Sequence, residues 1–269
     1  MRWRRYVAVG DSFTEGLWDV PDGEPPARTE AVDPALRCRG WADLLAAHLA
    51  ERIPPDGGSL EYANLAIRGR LLRPIVEEQL PRALAMTPDL VSLVGGGNDM
   101  LRAGGDPDRL AAELERAVAS IRATGADALL ATGMDSKNSP LVRHTRSRVG
   151  VFNANIWSIA RRHDAHVLDV WGMRSLRDWR MWAPDRIHLR TEGHRRVAQG
   201  ALVALGLPPD DPAWDDPLTP LPPLPRSSRL RSDVDWARAH VYPWATRRLR
   251  GTSSGDARRP KHSEPRPVG

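Results

Sequence analysis

The strongest constraint on this chain is a rhythm. Short aliphatic or β-branched runs alternate with longer stretches of helical periodicity. The runs are "RYVAVG" (5–10), "SLEYANLA" (59–66), "PDLVSLVGG" (88–96), "ADALLATG" (126–133) and "AHVLDVW" (165–171). Between them, "GWADLLAAHLAERI" (40–53) places Leu44, Leu45, Leu49 and Ile53 on one face. "PIVEEQLPRALA" (74–85) reads as a helix kinked or restarted near Pro81. "PDRLAAELERAVASIRAT" (107–124) has Pro107 in its first turn. "RVGVFNANIWSIARRHD" (148–164) and "TEGHRRVAQGALVALG" (191–206) complete the set, the last read as capped by Thr191 and ended by Gly206. Buried strands joined by helical crossovers predict a parallel sheet covered on both faces. In such sheets ligands gather at the carboxyl ends of the strands.

Composition changes after Leu207. Residues 208–269 hold 12 of the 24 prolines, and "DPLTPLPPLPR" (216–226) has the chemistry of an extended linker. "RLRSDVDWARAHVYPW" (229–244) spaces Leu230, Val234, Ala237 and Val241 for a short helix that can dock with Trp236 and Trp244. The end, "GTSSGDARRPKHSEPRPVG" (251–269), reads as disordered. The predicted organisation is a main domain over 1–206 and an extension over 207–269. Residues 226–269 carry 11 of the 39 Lys and Arg but 4 of the 34 Asp and Glu. The net charge of +5 is therefore a property of this tail, and the body is near neutral.

Cys38 is the sole cysteine, so no intrachain disulfide forms. The start, "MRWRRY", resembles the basic region of a signal peptide, but the apolar run after it is only "VAV". No stretch reaches the roughly 18 apolar residues of a membrane span. A cytoplasmic protein is expected. The sequence carries no signal of oligomeric state.

Four short stretches fall after the first, second, third and last predicted strands, in the loops that meet at one sheet edge. "VAVGDSFTEG" puts Ser12 just past the first strand, where a nucleophile would lie beside backbone N–H groups. Alone, Asp11 and Ser12 would more simply cap a turn. "ANLAIRGRL" offers Gly69, whose N–H can approach a ligand with no side chain in the way. "LVGGGNDML" offers the Asn98 amide as a neutral donor; its plain alternative is a helix cap, with Asp99 the usual candidate. The glycine run lacks the spacing of either common phosphate-binding motif. "DRIHLRTEG" sets Asp185 three residues before His188, close enough for a turn to join carboxylate and imidazole. Asp185, His188 and His194 match no common zinc spacing. Each signal is weak alone. Together they supply a nucleophile, its base, the base's orienter and two oxyanion donors.

On these blocks the chain resembles the SGNH hydrolases, the GDSL esterase/lipase superfamily, over about residues 5–205. "VAVGDSFTEG" matches the first block with Ser12 as nucleophile. Asn64 to Gly69 is similar to the second, making Gly69 the oxyanion glycine. Gly96-Gly97-Asn98-Asp99 matches the third, making Asn98 the oxyanion amide. Asp185 to His188 matches the last. Arg68-Gly69-Arg70 departs from the small or acidic residues frequent there. The resemblance implies a flavodoxin-like three-layer α/β/α sandwich on a mostly five-stranded parallel sheet. It also implies serine-dependent hydrolysis of a small-molecule acyl ester or thioester, with no metal and no cofactor.

Other signals are weaker. Lys137, Arg143, His144, Arg146 and Arg148 follow the fourth strand and can bind an anionic group, though a solvated loop explains them as well. Asp169 is a lesser candidate for orienting the histidine. Trp18, Trp171, Trp179 and Trp182 fall near the active edge, as a binding wall or as ordinary packing. One rival function is nucleic-acid or membrane binding through the Arg-rich tail. Another is a ligand-binding relative that has lost the chemistry. Nucleic acid is not the expected partner. Deleting 226–269 is expected to leave hydrolysis intact if the body is the enzyme.

Overall fold

In the computed structural model the described residues are 2–20, 38–102, 104–139, 142–222, 233–236, 238–239, 242, 255–256 and 258–268. Strand β1 (Arg5–Gly10) lies mid-sheet, and every residue after Arg5 is buried. It pairs in parallel with β2 (Glu61–Asn64) on one side and β3 (Leu90–Val94) on the other. Beyond β3 come β4 (Asp127–Ala131) and β5 (His166–Leu168), also parallel. With β6 (His262–Pro267) at the far edge, the spatial order is β5-β4-β3-β1-β2-β6, which reverses direction between β1 and β3. A crevice opens at the carboxyl ends of strands where such a reversal occurs.

Two-residue periodicity along β1 sorts its side chains into two cores. Tyr6 and Ala8 pack with Trp41, Leu45 and Leu49 of α2 (Trp41–Glu51) and with Val197 and Ala201 of α8 (Thr191–Ala204). Val7 and Val9 pack with Leu114, Val118 and Ile121 of α6 (Pro107–Ala123) and with Ile156 and Ile159 of α7 (Arg146–His163). The result is three layers, helix on sheet on helix.

Local chemistry sets the element ends. Asp106 caps α6 by accepting from the N–H groups of Asp108 and Arg109, and Pro107 fills the first turn. The helical stretch near Pro81 is broken into α3 (Leu72–Pro74), a π-helical turn (Ile75–Gln79) and α4 (Leu80–Ala85). Pro81 has no N–H for an ordinary helical bond, and the wide turn absorbs the gap. That turn brings buried Gln79 to the end of β1. Its amide accepts from Gly10 N at 2.8 Å and donates to Gly10 O at 3.0 Å.

Two expectations are corrected. Thr191 is the first residue of α8, not its cap; its hydroxyl hydrogen-bonds Asp19 instead. The terminal stretch is not wholly without structure: β6 (His262–Pro267) joins the sheet as a sixth strand, antiparallel to β2. Its composition hid it. Pro265 and Pro267 are tolerated because an edge strand needs only one side of its backbone for pairing. The His262 ring also packs on Tyr62 at 5.9 Å. Leu230, Ala237, Val241 and Trp244 of the expected docking segment lie outside the described residues. Among the described residues no helix is long and apolar enough to cross a membrane.

Between β1 and α2 the chain makes a pinched excursion. Asp19 O accepts from Arg39 N at 2.8 Å, and its carboxylate from Gly40 N at 2.9 Å. Gly16 (φ 83°) and Gly40 (φ 91°) meet so closely that a Cβ on either would strike the other's backbone.

Candidate active site

β1 ends at Gly10, where a Cβ would fall 2.6 Å from Thr14 Oγ1 and 2.7 Å from Val94 O. The chain turns at once into the single-turn helix α1 (Ser12–Glu15), capped by Asp11, whose Oδ1 accepts from Phe13 N at 3.0 Å. Asp11 thus does the capping, and Ser12 is left at the mouth of the crevice. The Asp11 carboxyl is buried, and burial raises its pKa to about 6.

The loop before α8 brings the far end of the chain to this serine. His188 Nε2 is 3.0 Å from Ser12 Oγ. His188 Nδ1 is 2.6 Å from Asp185 Oδ2. The loop holds the carboxylate by its own backbone: Asp185 Oδ1 accepts from Ile187 N and His188 N, each at 3.0 Å. Trp18 Nε1 donates to Asp185 Oδ2 at 2.8 Å. Asp185 is buried. Burial works against its charge, but His188 and the two N–H donors outweigh that and hold its pKa below the usual carboxylate value. The sequence places Ser12 and His188 176 positions apart, and the fold puts them in hydrogen-bonding contact.

Gly69 and Asn98 reach the same crevice. Gly69 has φ 75°, in the left-handed region that glycine adopts freely. Asn98 lies in the short helix α5 (Gly97–Met100) after β3. Its Nδ2 donates to Arg70 O at 3.0 Å and, by a longer bond of 3.3 Å, to Asp11 Oδ2. One amide therefore ties together the loops after β1, β2 and β3. Asp99 caps a neighbouring segment, accepting from Leu72 N at 3.0 Å.

Ser12, Gly69, Asn98, Asp185 and His188 all line one cleft of about 970 Å³. That volume suits a drug-sized ligand. Trp179 and Trp182 line it, with ring centroids 6.0 Å apart, whereas Trp18 is buried beneath it. Trp171 is absent from the lining and stacks under Arg146 at 5.1 Å. Of the basic loop, Lys137 and Arg146 face the cleft, Arg146 paired with Asp135. Arg148 is turned to the carbonyls of Arg102 and Gly105. Asp169 accepts from Thr132 Oγ1 and Gly172 N, while the His188 ring is occupied by Asp185.

Several residues take parts at the cleft that the sequence did not assign to them. Trp236 donates to Asp185 O at 3.1 Å and lies under the Arg186 guanidinium at 4.8 Å. With Asp256 it brings the extension to the cleft wall. His194 lies behind Phe13, fully buried; its Nδ1 accepts from Trp41 N at 3.3 Å, and burial lowers its pKa to about 4. Glu15 and Arg68 form a buried ion pair next to Gly69. Among the described residues, the one group spaced to hold a metal is His48, Glu51 and Asp210, outside the cleft lining. Asp210 there is already bonded to Arg52.

The family described as GDSL-like lipase/acylhydrolase matches residues 8–196. Among solved structures, LAE5, an α/β hydrolase enzyme from the metagenome of Lake Arreo, Spain, is 26% identical with a TM-score of 0.59, over 75% of this chain and 94% of that one. TesA is 24% identical with a TM-score of 0.56, over 75% and 97%. Axe2, an acetylxylan esterase from Geobacillus stearothermophilus, is 19% identical with a TM-score of 0.55, over 76% and 94%. The last two likenesses speak to fold. Among curated proteins none matches.

Proposed function

The chain belongs to the GDSL-like lipase/acylhydrolase family and is an ester-bond hydrolase; from that premise we propose that it works through a Ser12–His188–Asp185 triad. The observation that carries this reading is the unbroken relay from Ser12 Oγ to His188 Nε2 at 3.0 Å and from His188 Nδ1 to Asp185 at 2.6 Å.

His188 Nε2 takes the Ser12 proton as Oγ attacks the acyl carbonyl. Asp185 keeps the imidazole proton on Nδ1 and stabilises the imidazolium that forms. The negative charge moves to the carbonyl oxygen, which receives the Ser12 and Gly69 N–H groups and the Asn98 amide. The longer of the two Asn98 bonds, to Asp11, is the one that the oxyanion takes over. Collapse breaks the ester bond, and His188 returns the proton to the leaving alcohol. Water then repeats the cycle on the acyl-enzyme, freeing the acid and restoring Ser12.

The substrate class that fits best is a small-molecule ester with an extended apolar or ring-bearing portion. The cleft volume far exceeds an acetyl group, and the Trp179–Trp182 wall offers flat apolar faces. Ser12→Ala and His188→Ala should each lower kcat on p-nitrophenyl acetate by about 10⁴–10⁶-fold. A fluorophosphonate should label the wild-type protein at Ser12. Turnover above a tenth of wild type in Ser12→Ala would overturn the assignment.

A further inference from the structure

The oxyanion glycine stands between two arginines, and one of them is buried. Arg68 exposes only 2% of its side chain. A buried guanidinium is costly unless paired and fully hydrogen-bonded. Its partner is Glu15, the last residue of the one-turn helix that begins with Ser12. The Glu15 carboxylate accepts from Arg68 Nε at 2.9 Å, from Arg68 Nη2, and from the Arg68 backbone N–H at 2.6 Å. Side chain and main chain of Arg68 are thus clamped by one carboxylate, one peptide before Gly69. The clamp spans the two backbone donors assigned to the oxyanion, Ser12 N and Gly69 N.

The clamp is itself anchored from the other end of the chain. Lys261 enters just before β6, and only 10% of its side chain is exposed. Its Nζ lies 2.7 Å from Glu15 O, 2.9 Å from Cys38 O and 2.7 Å from Asp43 Oδ2, and it also bonds Arg39 O. These acceptors come from α1, from the return of the pinched excursion, and from α2. At Gly255 the same C-terminal segment presses on Arg68 O so closely that a Cβ there would collide with it. The position of the Arg68–Gly69 peptide is therefore fixed from both sides.

We propose that Glu15, Arg68 and Lys261 are positioning residues for the oxyanion donors, and that Gly255 and residues 258–268 are a working part of the catalytic site. This rests on the oxyanion role given to Gly69 above. It changes the expectation for removing 226–269. That deletion takes away Lys261 and β6, so hydrolysis should fall with it rather than survive.

The test uses the full-length chain with Glu15→Gln and Lys261→Met. Glutamine keeps an acceptor for Arg68 N but turns an amide N–H towards the guanidinium. Each variant should lose 10–100-fold in kcat on p-nitrophenyl acetate, with KM within threefold. A trifluoromethyl ketone that forms a tetrahedral adduct with the serine should lose affinity by the same factor, because it needs the same donors. A role in stability alone would lower the melting temperature and leave kcat of the folded protein within twofold. That result in either variant overturns the proposal, as does failure of both to fold. Should Lys261→Met alone fail to fold, Glu15→Gln decides. Ser12→Ala assayed alongside separates the two layers. Its retained turnover would refute the nucleophile, whereas its inactivity beside unaffected Glu15→Gln would refute the positioning role only.

Discussion

Replacing Asp185 by asparagine exchanges one oxygen for an NH₂ group, and the structure shows why so small a change is expected to be severe. Oδ1 accepts two backbone N–H groups at 3.0 Å, and Oδ2 accepts His188 Nδ1 at 2.6 Å and Trp18 Nε1 at 2.8 Å. Every partner is a donor, so an asparagine amide cannot satisfy both sides. With its oxygen towards the backbone, its NH₂ faces the Trp18 N–H and forces His188 to accept at Nδ1. The imidazole proton then sits on Nε2, pointing at Ser12, and the base is lost. With the amide flipped, two backbone N–H groups face an NH₂. Either way a buried donor is left unmet, at a cost of about 1–3 kcal/mol in stability. The wrong tautomer should cost about 10⁴ in kcat, which corresponds to about 5 kcal/mol of barrier. Asp185→Ala, which frees His188 to choose its tautomer, should be no worse than the near-isosteric asparagine. The assay is p-nitrophenyl acetate hydrolysis at saturating substrate, with melting temperature as the control for folding. If Asp185→Asn keeps more than a tenth of wild-type kcat, the tautomer argument is wrong.

Two further changes test other parts of the site. His194 is held neutral, with a folded pKa near 4 against about 6.5 when unfolded. The unfolded chain therefore binds the proton first, and stability should be lost as pH falls from 6.5 towards 4, by about 2–3 kcal/mol at pH 4.5. Asp11 acts in the opposite sense, because its raised pKa lets the folded state take a proton earlier as pH falls. Urea unfolding at pH 7 and 4.5 of wild type and His194→Phe checks this; equal pH slopes would refute it. Trp236→Ala removes a wall of the cleft and an indole beneath Arg186. KM should rise several-fold for naphthyl esters and less than twofold for p-nitrophenyl acetate; equal effects on both would deny Trp236 a part in binding.

What could be read from the sequence divides by range. The helices and the five parallel strands follow from local periodicity, which Val7, Val9, Leu90 and Val91 express without help from distant contacts. That Ser12 and Asn98 would lie at the crevice was legible because each closely follows the end of a predicted strand; His188 could be placed there because its loop comes after the last one and leads into the final helix. The sixth strand was not legible, since Pro265 and Pro267 lower any local strand signal and the pairing with Tyr62 is non-local. Nor was the Glu15–Arg68 clamp, because a charged pair 53 positions apart has no periodicity to betray it. Trp18 was noticed as an aromatic at the active edge, but its bond to Asp185 joins residues 167 positions apart, which no local pattern announces.

The pinch that joins Gly16 to Gly40 has an architectural consequence. Chain leaving β1 departs and returns through a single neck, tied by Asp19 to Arg39 and Gly40. Gly16 follows directly on the single-turn helix that carries Ser12, so the neck also sets how that helix meets the start of α2. A side chain at either glycine would have to part the neck, and would push the floor beneath Ser12 away from α2.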